Sequence, residues 1–154
     1  MADCCNSIYA SMSITQLKKL QTIQNTAARL LQENLSRYDS ITPALASLHW
    51  LPMKFRCLFK LLSTAHKILH HKDSPAYLKK KVLRKKYIRR TRSSNFLEIT
   101  TDFEPRLKTI GGKSLYVIMC KEWNALPGEL RNISSHSIFR KTLKTHLFRR
   151  AYHH

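Results

Sequence analysis

Pro52-Met53-Lys54-Phe55-Arg56-Cys57-Leu58-Phe59-Lys60-Leu61-Leu62-Ser63-Thr64-Ala65-His66-Lys67-Ile68-Leu69-His70 decides the class of this fold. Leu58, Leu61, Leu62, Ala65 and Leu69 recur at helical spacing, and Pro52 suits a first turn, where its missing N–H removes no hydrogen bond. The expected element is a long helix with one apolar stripe. Upstream, Ser13 to Leu31 repeats the pattern: Ser13 with Gln16 three on forms a capping box, and Leu17, Leu20, Ile23, Ala27, Leu30 and Leu31 fall on one face. Downstream, Ser134, Ser135 or Ser137 caps a final helix whose Phe139, Leu143 and Leu147 are spaced i, i+4, i+8. Asp73-Ser74-Pro75 opens a short helix in which Tyr77, Leu78 and Val82 run into a basic tract. The expected class is mainly α, with about four helices.

Residues 93 to 124 admit two readings. Phe96, Ile99, Thr100 and Thr101 raise the β-branched and aromatic content, and Leu115 to Met119 can pair with them across Ile110-Gly111-Gly112 as a small β-hairpin. The alternative is a continuous helix through Trp123. Pro43 and Pro52 bracket a connector in front of the long helix, and no internal repeat is evident.

With 154 residues, 43% of them hydrophobic, the chain can build one small domain or a piece of a larger one. Its longest uncharged apolar stretch, Leu115 to Cys120, is far shorter than the roughly 18 residues of a membrane span, and the N-terminus lacks a basic region followed by an apolar run. An intracellular protein of nucleus and cytoplasm, with no membrane partner, is expected. Cys4, Cys5, Cys57 and Cys120 show no Cys-x-x-Cys spacing, and reduced thiols fit better than disulfides.

The charge is unevenly placed. Of a net +19, residues 1 to 52 carry +1 and residues 53 to 154 carry +18. Such asymmetry points to a polyanion, because neutralising phosphates releases condensed counterions and yields affinity without reading sequence. Lys79, Lys80, Lys81, Arg84, Lys85, Lys86, Arg89, Arg90 and Arg92 make nine basic residues in fourteen, with no acid and with Tyr87 among them. A basic tract can track a phosphate backbone while a ring stacks on an unpaired base, so this tract is read as a nucleic-acid contact in preference to a merely solvated face. Its Lys-Lys-Lys and Arg-Lys-Lys runs also suit an importin groove. Arg140, Lys141 and Lys144, with Arg149 and Arg150, add an auxiliary basic face on the final helix.

Two cassettes, Leu48-His49-Trp50-Leu51-Pro52 and Trp123-Asn124-Ala125-Leu126-Pro127, each set a Trp beside a Leu-Pro stop. Trp50, Pro52, Trp123, Asn124 and Pro127 are read as structural anchors of chain reversals, because a large ring among apolar neighbours usually buries area instead of stacking on bases. Arg131 is expected to serve the second corner with Asn124, and Arg29 to anchor structure instead of reading a base.

Further segments lie in order around these cassettes: Asp3 to Asn6, Gln24-Asn25-Thr26-Ala27-Ala28-Arg29, Pro75-Ala76-Tyr77-Leu78, Arg92-Ser93-Ser94, Arg106-Leu107-Lys108-Thr109, and Phe139-Arg140 through Leu143-Lys144 to Leu147-Phe148. In this collinear order the chain resembles, over residues 3 to 148, the C-terminal region of the reverse-transcriptase polyprotein of LINE-type retrotransposons, which lack long terminal repeats and abound in fish and other vertebrate genomes. The resemblance implies a fragment of a larger reverse transcriptase, with residues 1–35 a thumb-like helical remnant, residues 36–154 a basic C-terminal domain, and Met1 beginning in mid-domain. It also implies partners: the missing palm and thumb, and RNA or DNA, held during target-primed reverse transcription. The family often carries a proline near Cys120, absent here, and some members carry a C-terminal zinc knuckle whose Cys/His spacing is missing here.

Polymerase chemistry needs neighbouring carboxylates to hold two divalent cations. Asp3, Asp39, Asp73 and Asp102 are scattered, and the family's catalytic aspartate pair and endonuclease lie upstream of the part represented. No catalytic residue and no cofactor is expected, so the chain alone should not be an enzyme. His66 and His70, at i, i+4, could contribute to a zinc site only with a third ligand that the sequence does not offer; they are read as a solvated helix face with no metal. Two other readings stand beside the retrotransposon one: a stand-alone basic RNA-binding protein, and a non-functional relic of a truncated element.

Overall fold

The computed structural model describes residues 11–32, 35–84, 98–101 and 114–152. Among them the chain forms α1 (Ile14–Leu31), α2 (Thr42–Ser47), α3 (Met53–His70), α4 (Ala76–Lys81), β1 (Val82–Arg84), β2 (Ile99–Thr101), α5 (Leu115–Asn124), α6 (Gly128–Arg131) and α7 (His136–Tyr152). The protein is mainly helical, as its periodicity implies. α3 is the central element, and α7, α5 and α1 all pack on it.

Burial explains that position. Leu61, Leu62, Ala65 and His66 of α3 are almost wholly inaccessible, and Phe139, Leu143 and Leu147 of α7 meet them as one buried stripe. Trp123 of α5 is 0% exposed and joins the same cluster, its ring stacked on Phe139 with centroids 5.6 Å apart. Aromatic rings bury the largest areas and dominate core energetics, so this Trp–Phe pair is the centre of the core.

The strand pairing differs from the expected hairpin. β2 runs antiparallel to β1, with Val82 opposite Thr101 and Arg84 opposite Ile99, while Leu115–Met119 is the first half of α5. Met119, Cys120 and Trp123 are the buried residues of α5, a 3.6-residue spacing that overrides local β-propensity. Val82 accordingly opens a strand instead of extending the helix before it. The link between Pro43 and Pro52 also holds a short helix, α2, with Pro43 in its first turn.

Asn124 ties the β ribbon to the core. Its Oδ1 accepts from the Ile99 N–H at 3.0 Å and its Nδ2 donates to the Ile99 carbonyl at 2.9 Å, so one amide satisfies both backbone groups of a residue only 1% exposed. Arg131, also buried, lies 3.6 Å from Glu98 at the same edge. Replacing Asn124 by alanine orphans two dry backbone groups, and a loss of about 2 kcal/mol is expected in urea denaturation. A change below about 0.5 kcal/mol, the range of ordinary surface substitutions, would mean that Asn124 does not hold β2.

α1 begins as expected: Ser13 Oγ accepts from the Gln16 N–H and Gln16 Oε1 accepts from the Ser13 N–H. Its buried face is not the expected one. Gln24 and Ala28 are the buried residues, whereas Ile23 and Leu30 are 66% and 79% exposed. Hydrogen bonds set this rotation. Pro52, as the N-cap of α3, has no side-chain acceptor to offer, and Gln21 Oε1 takes the Met53 N–H at 2.8 Å instead. One turn on, Gln24 Nε2 donates to the Leu51 carbonyl at 2.9 Å. Arg29 holds the chain beyond α1, donating to the carbonyls of Ser36 and Asp39.

Candidate nucleic-acid interface

Both Leu-Pro cassettes do the same structural work. Leu51 and Leu126 point into the core, and Pro52 and Pro127 are the N-caps of α3 and α6. The two tryptophans, however, go separate ways: Trp123 is core, while Trp50 is only partly buried and lines a cleft. Trp50 thus stands outside the buried core cluster that holds Trp123.

Backbone geometry places Trp50 there. α2 ends in a Schellman turn, with His49 N–H on the Ala46 carbonyl at 3.0 Å and Trp50 N–H on the Leu45 carbonyl at 2.9 Å. Such a turn needs a left-handed residue after the C-cap, and here His49 fills that position at φ 52°. The Tyr152 hydroxyl donates to the Trp50 carbonyl, fixing the end of α7 to this turn.

The cleft, about 290 Å³, runs between the start of α3 and the middle of α7. Arg56 and Lys60 line it from α3, Arg140 and Lys144 from α7, each pair at i, i+4, with Trp50 and Phe59 as its aromatic wall. None of the eight lining residues is acidic. The Arg140 guanidinium carbon sits 5.8 Å from the Phe59 ring centroid, a cation–π contact between α7 and α3. A neighbouring cleft of about 420 Å³, lined by Lys144, Thr145, Phe148 and Arg149, shares His49 with the first.

Arg140 and Lys144, expected from the sequence, are therefore brought together. Lys141 is not among them: it lines a separate cleft with Glu129 and His146 on another side of α7. In the basic tract, Lys80 and Lys81 are exposed at the end of α4, and Lys79 Nζ donates to the Lys72 carbonyl at 2.9 Å. Arg84 contributes its backbone to β1; Lys85, Lys86, Tyr87, Arg89, Arg90 and Arg92 lie outside the described residues. Arg56, Lys60 and His49 were not singled out from sequence. Their signal was present in the cationic i, i+4 pair of α3 and in a non-glycine residue following a short Pro-initiated helix.

His66 is wholly buried, which corrects its reading as part of a solvated face. Its Nε2 lies 2.7 Å from the Ile133 carbonyl and therefore donates, leaving Nδ1 to accept from His136 Nδ1–H at 3.3 Å. The ring stacks between those of Phe139 and His70 at 4.3 and 4.4 Å. Burial lowers the His66 pKa against the opposing effect of the Ile133 hydrogen bond. Burial also lowers that of His136, reinforced by His66, Lys67, Arg140 and His71. No three His, Cys, Asp or Glu side chains converge on a metal position among the described residues. Cys57 and Cys120 are buried free thiols, and burial pushes Cys120 up to about 11, which keeps it protonated and unreactive at neutral pH. No described helix is long and apolar enough to cross a membrane.

Comparison with family models, curated proteins and solved structures finds no match.

Proposed function

We propose that this protein binds nucleic acid through the basic cleft between α3 and α7. We further propose that it is the non-catalytic C-terminal portion of a LINE-type reverse transcriptase, holding element RNA or target DNA during target-primed reverse transcription. The observation that carries the binding role is the convergence of Arg56, Lys60, Arg140 and Lys144 around Trp50 and Phe59, with no acidic residue lining the cleft. Cations with interleaved rings are the chemistry of phosphate-backbone tracking. The tract from Lys79 to Arg92 adds nine basic residues to the chain's charge, and no catalytic step is assigned to this chain.

The place in a larger polymerase rests on the collinear segments around the two Leu-Pro cassettes. It is supported by α1, whose Ile23, Leu30 and Leu31 stay exposed, a face suited to the palm and thumb of the parent enzyme. A stand-alone RNA-binding protein is the second reading, favoured by a core cluster built from α3, α5, α6, α7, the β ribbon and the two Leu-Pro corners, with no residue of α1 in it.

Charge reversal tests the binding role. Arg140 and Lys144 are exposed, so Arg140→Glu with Lys144→Glu should leave folding intact. Each lost phosphate contact reduces the salt slope by about one, so the double variant should flatten it by about two and weaken RNA and DNA binding at least about tenfold. The control Lys19→Glu, on exposed α1, should change affinity far less. Equal losses in both would show diffuse attraction with no site in the cleft.

A further inference from the structure

We propose that the His49–Trp50 corner takes an unpaired base, so that the cleft selects single-stranded over duplex nucleic acid. This rests on the nucleic-acid reading above and adds the form of the ligand and the group that recognises it.

Three observations carry it. First, the Trp50 indole is not needed to build its corner. The hydrogen bonds that fix Trp50 are made by its N–H to Leu45 and by its carbonyl to Tyr152, both backbone groups, and its ring lines the cleft instead of the core. A partly exposed indole held by its backbone is a preorganised stacking surface, since every base has a π-face to lay on it.

Second, His49 keeps a left-handed backbone at φ 52° where glycine would adopt it without strain. Strained non-glycine residues persist only where the surrounding structure holds them, and they cluster at ligand clamps and active sites. The imidazole stands at the boundary of two clefts, lining both with Lys144 and lying 5.9 Å from the Phe148 ring. A strand crossing this boundary would meet Trp50 on one side and Phe148 on the other, with phosphates between Arg140 and Lys144.

Third, the cations line a concavity between two helices. A duplex keeps its bases stacked inside and offers only groove floors, which convex elements such as a helix enter. A recess walled by rings accepts a base only after it has left a stack, and a single strand supplies such bases freely. Beyond His49, no lining side chain of the first cleft has a fork suited to base edges other than arginine, so stacking and charge give little sequence preference.

Tryptophan fluorescence reads the proposal directly. Trp123 is 0% exposed, so quenching on binding reports Trp50. The probes are oligo(U), oligo(dT) and a DNA duplex of equal length, titrated at one salt concentration. Single strands should quench the emission and bind about tenfold more tightly than the duplex. Trp50→Leu should abolish quenching and most of that preference while sparing duplex affinity and salt slope, with the remaining Trp123 emission confirming the fold. His49→Gly, which relieves the strained turn, should fold at least as stably and still lose part of the preference. Equal affinity for duplex and single strand, or unchanged single-strand affinity in Trp50→Leu and His49→Gly, would overturn base insertion and leave backbone binding standing. Absence of affinity for all three probes would overturn both.

Discussion

Replacement of Trp123 by alanine should cost about 3–5 kcal/mol, a large share of a total stability expected at about 5–15 kcal/mol. The ring is 0% exposed, stacks on Phe139 at 5.6 Å and lies 6.3 Å from the His66 ring, so truncation empties the point where α3, α5 and α7 meet. Surrounding elements cannot collapse into the gap. α5 is held at its end by Asn124 on β2, and Leu126 and Leu130 are already buried in the same core cluster. Urea denaturation followed by circular dichroism checks the effect. Trp50→Ala makes the contrast, because a partly exposed ring outside the core should cost far less. Comparable losses for the two would mean that the core is not centred on Trp123.

Acidification should destabilise the protein, and the pair of buried His66 and half-buried His136 gives the sign. His66 and His136 both have folded pKa values below the unfolded value of about 6.5, in each case first through burial. Above that pH both states are neutral, and the stability is fully present. As pH falls from about 6.5 through the depressed folded values, the unfolded chain takes up protons that the folded chain refuses, and stability is lost progressively. The refusal is structural: His66 already donates through Nε2 and accepts through Nδ1, so a second proton would break the bond to His136 and set a charge between the Phe139 and His70 rings. Lys67, Arg140 and His71 face His136 with further positive charge. The urea midpoint should therefore fall between pH 7 and pH 5. His66→Leu should lose about 1–3 kcal/mol at pH 7 by orphaning the Ile133 carbonyl, yet show a shallower fall on acidification. A wild-type midpoint that is flat across this range would contradict a neutral His66–His136 pair.

What the sequence revealed follows from how local each determinant is. The bounds of α3, the Ser13 cap of α1 and the Phe139-Leu143-Leu147 stripe depend on neighbours within two turns, and they read directly. The rotation of α1 does not, because it answers to an N–H left over where Pro52 caps α3, a demand that arises 32 residues from the Gln21 that meets it. Three-residue strands carry no usable period, so nothing local in the sequence singles out β1 over Leu115–Met119 as the partner of β2. At the candidate site, Arg140 and Lys144 were legible as a basic helix face. Their meeting with Arg56 and Lys60 needed the α3–α7 packing, and the exposure of Trp50 needed the Schellman turn at His49. The two cassettes look alike in sequence because both encode a buried Leu and a capping Pro; the fate of each Trp is decided by the element before it.

The measurement that tests the central claim most directly is the affinity of the purified protein for single-stranded RNA, single-stranded DNA and duplex DNA across a salt series, with circular dichroism on the same sample. A folded helical protein using four cleft cations should show a logarithmic salt slope of about −3 or steeper on single strands. A helical spectrum with no measurable binding, or with affinity indifferent to salt, would contradict nucleic-acid binding as the function of this chain.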